Sequence, residues 1–212
     1  MKPPKLALIT DFTEADWVRT SLSQAAERDE RFLADVIPMS FEAYVSVRHQ
    51  PKKSKNNFGE SLCFEKLTLL LMDHTETEEE CFAAIWYGFG WSFEEEYPHL
   101  FHNMEKHFLR KFVGNREFNK FFQIPNRDYY LLKSSLLDTL KIGEIVDNYL
   151  YYEPTNMLWP KDRRWFVANE IDFHVTLIGG SKALIDEIDS NHHFITERFT
   201  PGIWSDTYLS GY

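Results

Sequence analysis

Apolar and polar residues alternate most clearly over positions 170 to 177 of the chain. The polar members are Glu170, Asp172, His174 and Thr176, and the apolar members are Ile171, Phe173, Val175 and Leu177. This two-residue period predicts a strand with one buried face, either one long bent strand from Arg163 or two strands meeting near Asn169. Gly179 and Gly180 predict a tight exit, and Ser181 predicts the start of an amphipathic helix.

Similar patterns predict elements elsewhere in the chain. Periodic apolar residues predict helices over residues 10–28, 64–71, 82–89 and 98–112, the first capped by Thr13. Alternation predicts a half-buried strand over residues 41–47, and short strands within residues 124–134, 147–154 and 194–200 around a short helix that begins at residue 136. The segment 50–60 is rich in lysine, asparagine and proline, which predicts an exposed loop.

The order of these elements predicts the fold class. Helices concentrate in the N-terminal half, and strands at hairpin-scale spacing follow later. We therefore expect an α+β fold in which about five antiparallel strands form a sheet with helices packed on one face. A length of 212 residues fits a single domain over residues 1–212.

Net charge, cysteine content and the lengths of apolar runs indicate which partners and which cellular compartment to expect. A formal net charge of -10 disfavours nucleic acid or anionic lipid as the main partner and favours a basic protein. Cys63 and Cys81 lie in apolar segments without a CxxC spacing, which is typical of buried thiols in a reducing compartment. No apolar run approaches the ~20 residues that cross a bilayer, so we expect a cytoplasmic protein.

Several motifs for metal, cofactor or nucleophilic chemistry are weak or missing. His99, His102 and His107 scatter around the helix predicted over residues 98–112, so no metal site and no cofactor is predicted. The turn from Gly179 to Lys182 could bind an anion at a helix start, although a simple connection is the favoured interpretation because GxxxxGK[ST] is absent. GxSxG is also absent.

The segment 106–122 mixes basic and aromatic residues, which allows two interpretations. Such a mixture can bind single-stranded nucleic acid or another anionic ligand. It can also complement acidic residues of the same protein, and the acidic composition of the chain favours this second interpretation.

The polar side of the strand predicted around position 174 is the candidate catalytic site. Glu170, Asp172 and His174 would point the same way, so the carboxyl groups could shift each other's pKa and the histidine could relay a proton or bind a metal. The ordinary alternative is a solvated strand face, which needs only polar residues of this kind.

Trp159, Asp162, Arg163 and Trp165 form the candidate binding site. An arginine that stacks on a tryptophan is favoured at binding hot spots. The same residues can anchor the entry of a strand to the core, and this structural interpretation is the favoured one.

Four segments together resemble a family of uncharacterised bacterial proteins. They are FEAYV near position 41, HTETEEECFAAIWYGFGW from His74, RDYYLL from Arg127, and LWPKDRRWFVANEIDFHVTLIGGS from Leu158. The resemblance spans positions 40 to 190 and implies no activity, so it transfers no catalytic residue. The chain departs from the family pattern at Tyr87 and Phe89, and its phenylalanine-rich segment 93–122 is interpreted as a helical insertion.

Two functions from different classes follow as expectations. The preferred one is a noncatalytic protein-binding module of the immunity or antitoxin kind, whose acidic surface engages a basic partner. The alternative is a small hydrolase or transferase that uses Glu170, Asp172 and His174 beside Arg163.

Overall fold

The structure is a computed structural model and describes residues 6–26, 36–49, 59–86, 120–124, 127–140, 142, 155–170 and 173–201. Its nine strands are β1 (Ala7–Ile9), β2 (Ala43–Arg48), β3 (Cys81–Trp86), β4 (Phe122–Ile124), β5 (Arg127–Ser134), β6 (Met157–Pro160), β7 (Phe166–Ala168), β8 (Val175–Gly180) and β9 (Thr196–Arg198). Its four α-helices are α1 (Asp16–Ala26), α2 (Gly59–Met72), α3 (Leu136–Thr139) and α4 (Lys182–Ser190), and a 3-10 turn over Thr13–Ala15 precedes α1.

All nine strands belong to one antiparallel sheet in the order β1-β5-β3-β6-β7-β8-β2-β9, with β4 also paired to β5. The middle of the sheet is a meander, because β6, β7 and β8 follow each other in sequence and in space. β2 then joins β8 over six residue pairs, from Ala43 opposite Gly180 to Arg48 opposite Val175. Strands distant in sequence therefore complete the sheet on both sides of the meander.

Helices cover both faces of the sheet. On one face, which we call the α2 face, α2, α3 and α4 bury Leu67, Leu71, Leu136, Leu184 and Ile188. On the opposite face, the α1 face, α1 and the turn before it bury Ala15, Val18 and Leu22 beside the aromatic rings of Trp159 and Phe166. The prediction that the helices pack on one face is therefore wrong.

The predicted strand count and helix distribution are wrong as well, although the α+β class is correct. The sheet has nine strands and not about five, and the helices are spread along the chain from α1 to α4. Residues 82–89 were predicted as a helix, yet β3 occupies the middle of the sheet. A strand covered on both faces shows a continuous apolar run, and Phe82, Ile85 and Trp86 happen to match helical spacing.

The two strands predicted as half-buried are largely covered on both sides. All six residues of β8 are buried, and in β2 the polar Ser46 is 3% exposed. β8 begins only at Val175 and β7 has ended at Ala168, so the alternative with two separate strands describes the segment better. Gly179 and Gly180 lie inside β8 and do not form the predicted turn.

Several other predictions are confirmed, namely α1, α2, α3, α4 and the strands β5 and β9. Thr13 is not the cap of the first helix: its N–H and hydroxyl groups donate to the Asp11 carboxylate. The elements predicted over 98–112 and 147–154, and nearly all of the segments 50–60 and 93–122, lie outside the described residues.

Candidate functional site

Arg127 and Glu170 form an ion pair at the end of the sheet where β5 begins and β7 has ended. The Arg127 side chain is 25% exposed and the Glu170 side chain 9%, and the Arg127 guanidinium lies 5.3 Å from the centre of the Trp86 ring. Burial opposes the charge on Arg127, but the hydrogen bond and charge of Glu170 leave the pKa of Arg127 above its ordinary value. The pair therefore consists of two opposite charges that are both largely buried.

Tyr129 lies beside this ion pair, two residues along β5. Burial, with a smaller contribution from the charge of Glu170, raises the pKa of Tyr129 to about 12, and Arg127 acts in the opposite direction. The phenol therefore keeps its proton at neutral pH, and its oxygen accepts a hydrogen bond from the Arg127 guanidinium. Sequence reasoning missed both Arg127 and Tyr129, because no local pattern marks residues that meet Glu170 only through the sheet.

Asn156 joins three strands at the same end of the sheet. Its side-chain oxygen accepts from the Trp86 N–H at 2.7 Å, and its side-chain nitrogen donates to the Asn169 carbonyl at 3.2 Å. The neighbouring Thr155 hydroxyl is buried and has no hydrogen-bond partner in the described part of the chain. We call Trp86, Arg127, Tyr129, Asn156 and Glu170 the Arg127 cluster. It contains an ion pair between a carboxylate and a guanidinium, with a protonated phenol beside the pair.

Of the three candidate catalytic residues, neither Glu170 nor His174 lies in a strand, so these two do not share a strand face as predicted. Glu170 belongs to the Arg127 cluster, Asp172 lies outside the described residues, and His174 is an exposed residue just before β8. The His174 carbonyl accepts from the His49 N–H at 2.9 Å, so its backbone ties the start of β8 to the end of β2. A shared role for the three side chains stays a prediction.

The four candidate binding residues do not share one surface. Trp159 and Trp165 are fully buried and lie on opposite faces of the sheet, Trp159 on the α1 face and Trp165 on the α2 face. Asp162 and Arg163 occupy the turn between β6 and β7, where Arg163 has a positive φ of 57° and lies 5.5 Å from the ring centre of Trp17. Both tryptophans are therefore core residues, which agrees with the prediction that they anchor the entry of a strand to the core.

The glycine turn proposed for anion binding is also part of the core. A side-chain carbon on Gly179 would lie 2.7 Å from a ring carbon of Phe41, and one on Gly180 would lie 2.7 Å from Leu184 Cδ2. Ser181 caps α4 by accepting from the Leu184 N–H at 3.2 Å. The Lys182 N–H donates to the Glu42 carboxylate at 2.9 Å, so a side chain of the protein itself occupies the start of this helix.

An acidic turn connects α2 to β3 at the other end of the sheet, and we define it as Asp73–Glu80. The Asp162 carboxylate fixes this turn, because it accepts from the Thr75 hydroxyl and from the Glu76 N–H, both at 2.8 Å. The Asp162 N–H in turn donates to the Thr77 hydroxyl at 3.1 Å. The acidic turn is thus joined rigidly to the β6–β7 turn.

Cys81 follows the acidic turn and is fully buried. Burial, together with the charges of Asp162, Glu78 and Glu79, raises the pKa of the Cys81 thiol to about 12. The nucleophilic thiolate form is therefore scarce at neutral pH, and Cys81 acts as a small apolar core residue.

Comparisons with known proteins leave this site without a precedent, since no family model, no curated protein and no solved structure matches the chain. In the part of the chain that the structure describes, no three His, Cys, Asp or Glu side chains are grouped so that they could ligate a metal ion. Among the same residues, no helix is long and apolar enough to cross a bilayer.

Proposed function

We propose that the chain is a noncatalytic, cytoplasmic protein-binding module of bacteria, of the immunity or antitoxin kind, and that its acidic surface binds a basic protein. The single observation that carries this proposal is the distribution of charge over the described surface. The net charge of -10 supplies long-range attraction for a basic partner, and such complementarity mainly raises the rate and specificity of association.

Most cations of the described surface are already engaged by carboxylates of the chain. The ion pairs of these exposed cations are Arg19–Asp16, Lys133–Glu80, Lys161–Glu80, Arg163–Glu14, Arg164–Glu76, Arg164–Asp162, Lys182–Asp186, Arg198–Asp186 and Arg198–Asp189. Within the acidic turn, by contrast, Asp73, Glu78 and Glu79 have no ion pair among the described residues. The surplus charge that a partner would meet is therefore negative.

The rigidity of the acidic turn favours binding for a second reason. Its backbone is held by Asp162 and by the Glu80 N–H, which donates to the Thr77 carbonyl at 2.8 Å. A surface fixed before binding loses less conformational entropy when the partner arrives.

The test compares two triple variants with the same change in net charge. The first changes the acidic turn through Asp73→Asn, Glu78→Gln and Glu79→Gln. The control changes acidic residues on other elements through Glu65→Gln, Asp128→Asn and Glu197→Gln. Tagged protein is purified from the cells that make it, the copurified protein is identified by mass, and its affinity for each variant is measured by calorimetry.

We expect a basic partner that binds the acidic-turn variant about tenfold more weakly and the control variant about as well as the unchanged protein. Equal loss for both variants would contradict a role for the acidic turn, because only net charge would then matter. An acidic partner would contradict the proposal as a whole. A metal retained through purification, or turnover lost on Glu170→Gln, would favour the hydrolase or transferase.

The catalytic alternative has one observation in its favour and one against it. The Arg127 cluster places Glu170 beside a guanidinium in a largely buried position, which is an arrangement that enzymes use. Arg163, however, lies in the turn between β6 and β7, whereas Glu170 follows β7, so the two residues are at opposite ends of that hairpin. The site of the alternative would therefore contain Arg127 in place of Arg163.

A further inference from the structure

Two exposed leucines lie next to the acidic turn. Leu69 of α2 is 53% exposed and lies about one helical turn before Asp73, where the acidic turn begins. Leu137 of α3 is 46% exposed, and the N–H group of the preceding Leu136 donates to the Glu78 carbonyl at 2.7 Å. The acidic turn therefore has an exposed, large apolar side chain near each of its ends.

The two flanks of α2 show in which direction this apolar surface continues. On one flank α2 contacts α4, and the charge of Lys66 acts on His193, which follows α4. On the other flank α2 contacts α3. At about 100° per residue, Met72 lies about 60° around the helix from Leu69, in the direction opposite to Lys66. The partly buried Met72 therefore extends the apolar surface from Leu69 toward α3 and away from the cations.

The charges beside the two leucines determine which kind of partner fits them. Asp73 and Glu79 are exposed, Glu78 is half-buried, and none of the three forms an ion pair among the described residues. A lysine or arginine of a partner would pair with these carboxylates, whereas an apolar partner would leave them uncompensated. A second copy of the chain would bring the same carboxylates against them in a symmetric contact. The surface therefore fits a partner that is both basic and apolar.

The helices that carry the leucines limit how such a partner can bind. Leu69 lies inside α2, where main-chain N–H and C=O groups bond to each other along the helix. The helix consequently offers no edge to which a strand could add, and a partner contacts its side chains instead. An amphipathic helix that lays its apolar face on other helices makes contacts of this kind.

We propose that Leu69 and Leu137 anchor a basic amphipathic helix of the partner protein. Apolar side chains of that helix contact the two leucines and Met72, while its lysine or arginine side chains contact the unpaired carboxylates of the acidic turn. This inference rests on the proposed function and adds to it that binding requires the leucines as well as the carboxylates.

The test uses a defined probe and the full chain. The probe is a peptide of about 18 residues, long enough to form a helix, in which lysines occupy one face and leucines the other. A control peptide has the same composition with its leucines spread around the helix, so the two peptides have equal net charge. Surface plasmon resonance measures both rates of binding, and we expect the amphipathic peptide to bind about tenfold more tightly than its control.

Leu69→Gln combined with Leu137→Gln is the decisive variant, because it removes apolar contacts at unchanged net charge. The amphipathic peptide should dissociate about tenfold faster from this variant, and its association rate should stay the same because long-range attraction depends on charge. Met39→Gln combined with Ile195→Gln is the matched control. These side chains are 44% and 54% exposed and precede β2 and β9, so their replacement should alter neither rate. Circular dichroism verifies that both variants are folded.

The triple variant Asp73→Asn, Glu78→Gln and Glu79→Gln provides the complementary measurement. It should slow the association of the amphipathic peptide and make the association rate less sensitive to salt. The control triple variant of the same net charge includes Glu65→Gln, which lies one turn before Leu69 and farther from the acidic turn. It should affect association much less.

Four outcomes would overturn this inference. They are no binding of either peptide, equal affinity for both peptides, unchanged dissociation from the leucine variant, and a dimer of the chain that the leucine variant abolishes. In the last case a second copy would be the occupant. The proposed function fails by a different result, namely a copurified partner that is not basic, so the two failures are distinguishable.

Discussion

Arg127 and Glu170 are 43 positions apart in the chain, and their side chains form an ion pair at one end of the sheet. The pair joins the beginning of β5 to the segment after β7, two parts of the sheet separated by β3 and β6. Both side chains are largely removed from water, so the attraction between the two charges is screened less than that of an exposed pair.

Removal of the Glu170 charge should destabilise the protein more than removal of an exposed charge. Glu170→Gln removes a carboxylate charge that faces the Arg127 guanidinium, and we expect a loss of about 2 kcal/mol in the free energy of unfolding, below the fully buried limit because Arg127 is partly exposed. Glu76→Gln, which breaks the exposed pair with Arg164, should cost less than about 0.5 kcal/mol. Urea denaturation measures both values, and equal losses would contradict the role given to burial.

The two glycines of β8 should respond differently to substitution by alanine. In Gly179→Ala the new carbon meets two aromatic rings, at 2.7 Å from Phe41 and 2.9 Å from Tyr44, and overpacking of this kind costs about 1–3 kcal/mol. In Gly180→Ala the nearest atom is the end of the flexible Leu184 side chain, so the cost should be smaller. Thermal unfolding of both variants tests the order, and a larger effect at Gly180 would be evidence against it.

The two buried tryptophans provide a matched comparison of hydrogen bonding. The Trp165 indole N–H donates to the Leu71 carbonyl at 3.1 Å, whereas the Trp159 indole N–H is buried and has no partner among the residues that the structure describes. Trp165→Phe removes a hydrogen bond, although the Leu71 carbonyl still accepts from the His74 N–H at 3.2 Å. It should therefore cost about 1 kcal/mol more than Trp159→Phe, which removes an unpaired donor. Chemical denaturation followed by circular dichroism measures the difference, and equal costs would indicate that Trp159 has a partner in solution.

Stability at acid pH should depend on Arg198. Hydrogen bonds from Lys182 and Arg198 lower the pKa of Asp186, and hydrogen bonds from Thr196 and Arg198 lower that of Asp189, both below the ordinary value of 3.8. A lowered pKa in the folded state contributes stability that is complete above 3.8 and is lost as pH falls through the folded-state pKa.

Arg198→Gln should therefore weaken the loss of stability on acidification below pH 3.8, because less of this contribution is present to be lost. Urea unfolding at a series of pH values provides the slope for each protein. The double change Asp186→Asn and Asp189→Asn should reduce the slope in the unchanged protein and have less effect when Arg198 is already absent. A slope that Arg198→Gln leaves unaltered would refute this account.

Local sequence signals were sufficient for some elements of the fold. Ser181 followed by Leu184, Ile185 and Ile188 predicted the cap and buried stripe of α4, and the structure has both. Such signals act within a few residues, and they do not depend on what covers the element from outside.

Predictions from local sequence signals were wrong where the outcome depends on contacts between distant parts of the chain. β3 was predicted as a helix and β8 as half-buried. A strand shows alternating apolar and polar residues only where one of its faces is exposed to water, and both faces of this sheet are covered. The candidate site shows the same limit: Glu170 could be named from its own strand pattern, but Arg127 could not, since only the order of the strands brings the two together.

The pairing of β2 with β8 also has a kinetic consequence. Ala43 must find Gly180 from the far end of the chain, and the six pairs of this ladder cannot form until nearly all intervening residues have been synthesised. Contacts of such high sequence separation require the chain to lose loop-closure entropy before they contribute stability, and this requirement slows folding. During synthesis, β2 therefore has neither of its partner strands until β8 and β9 have followed it in the chain.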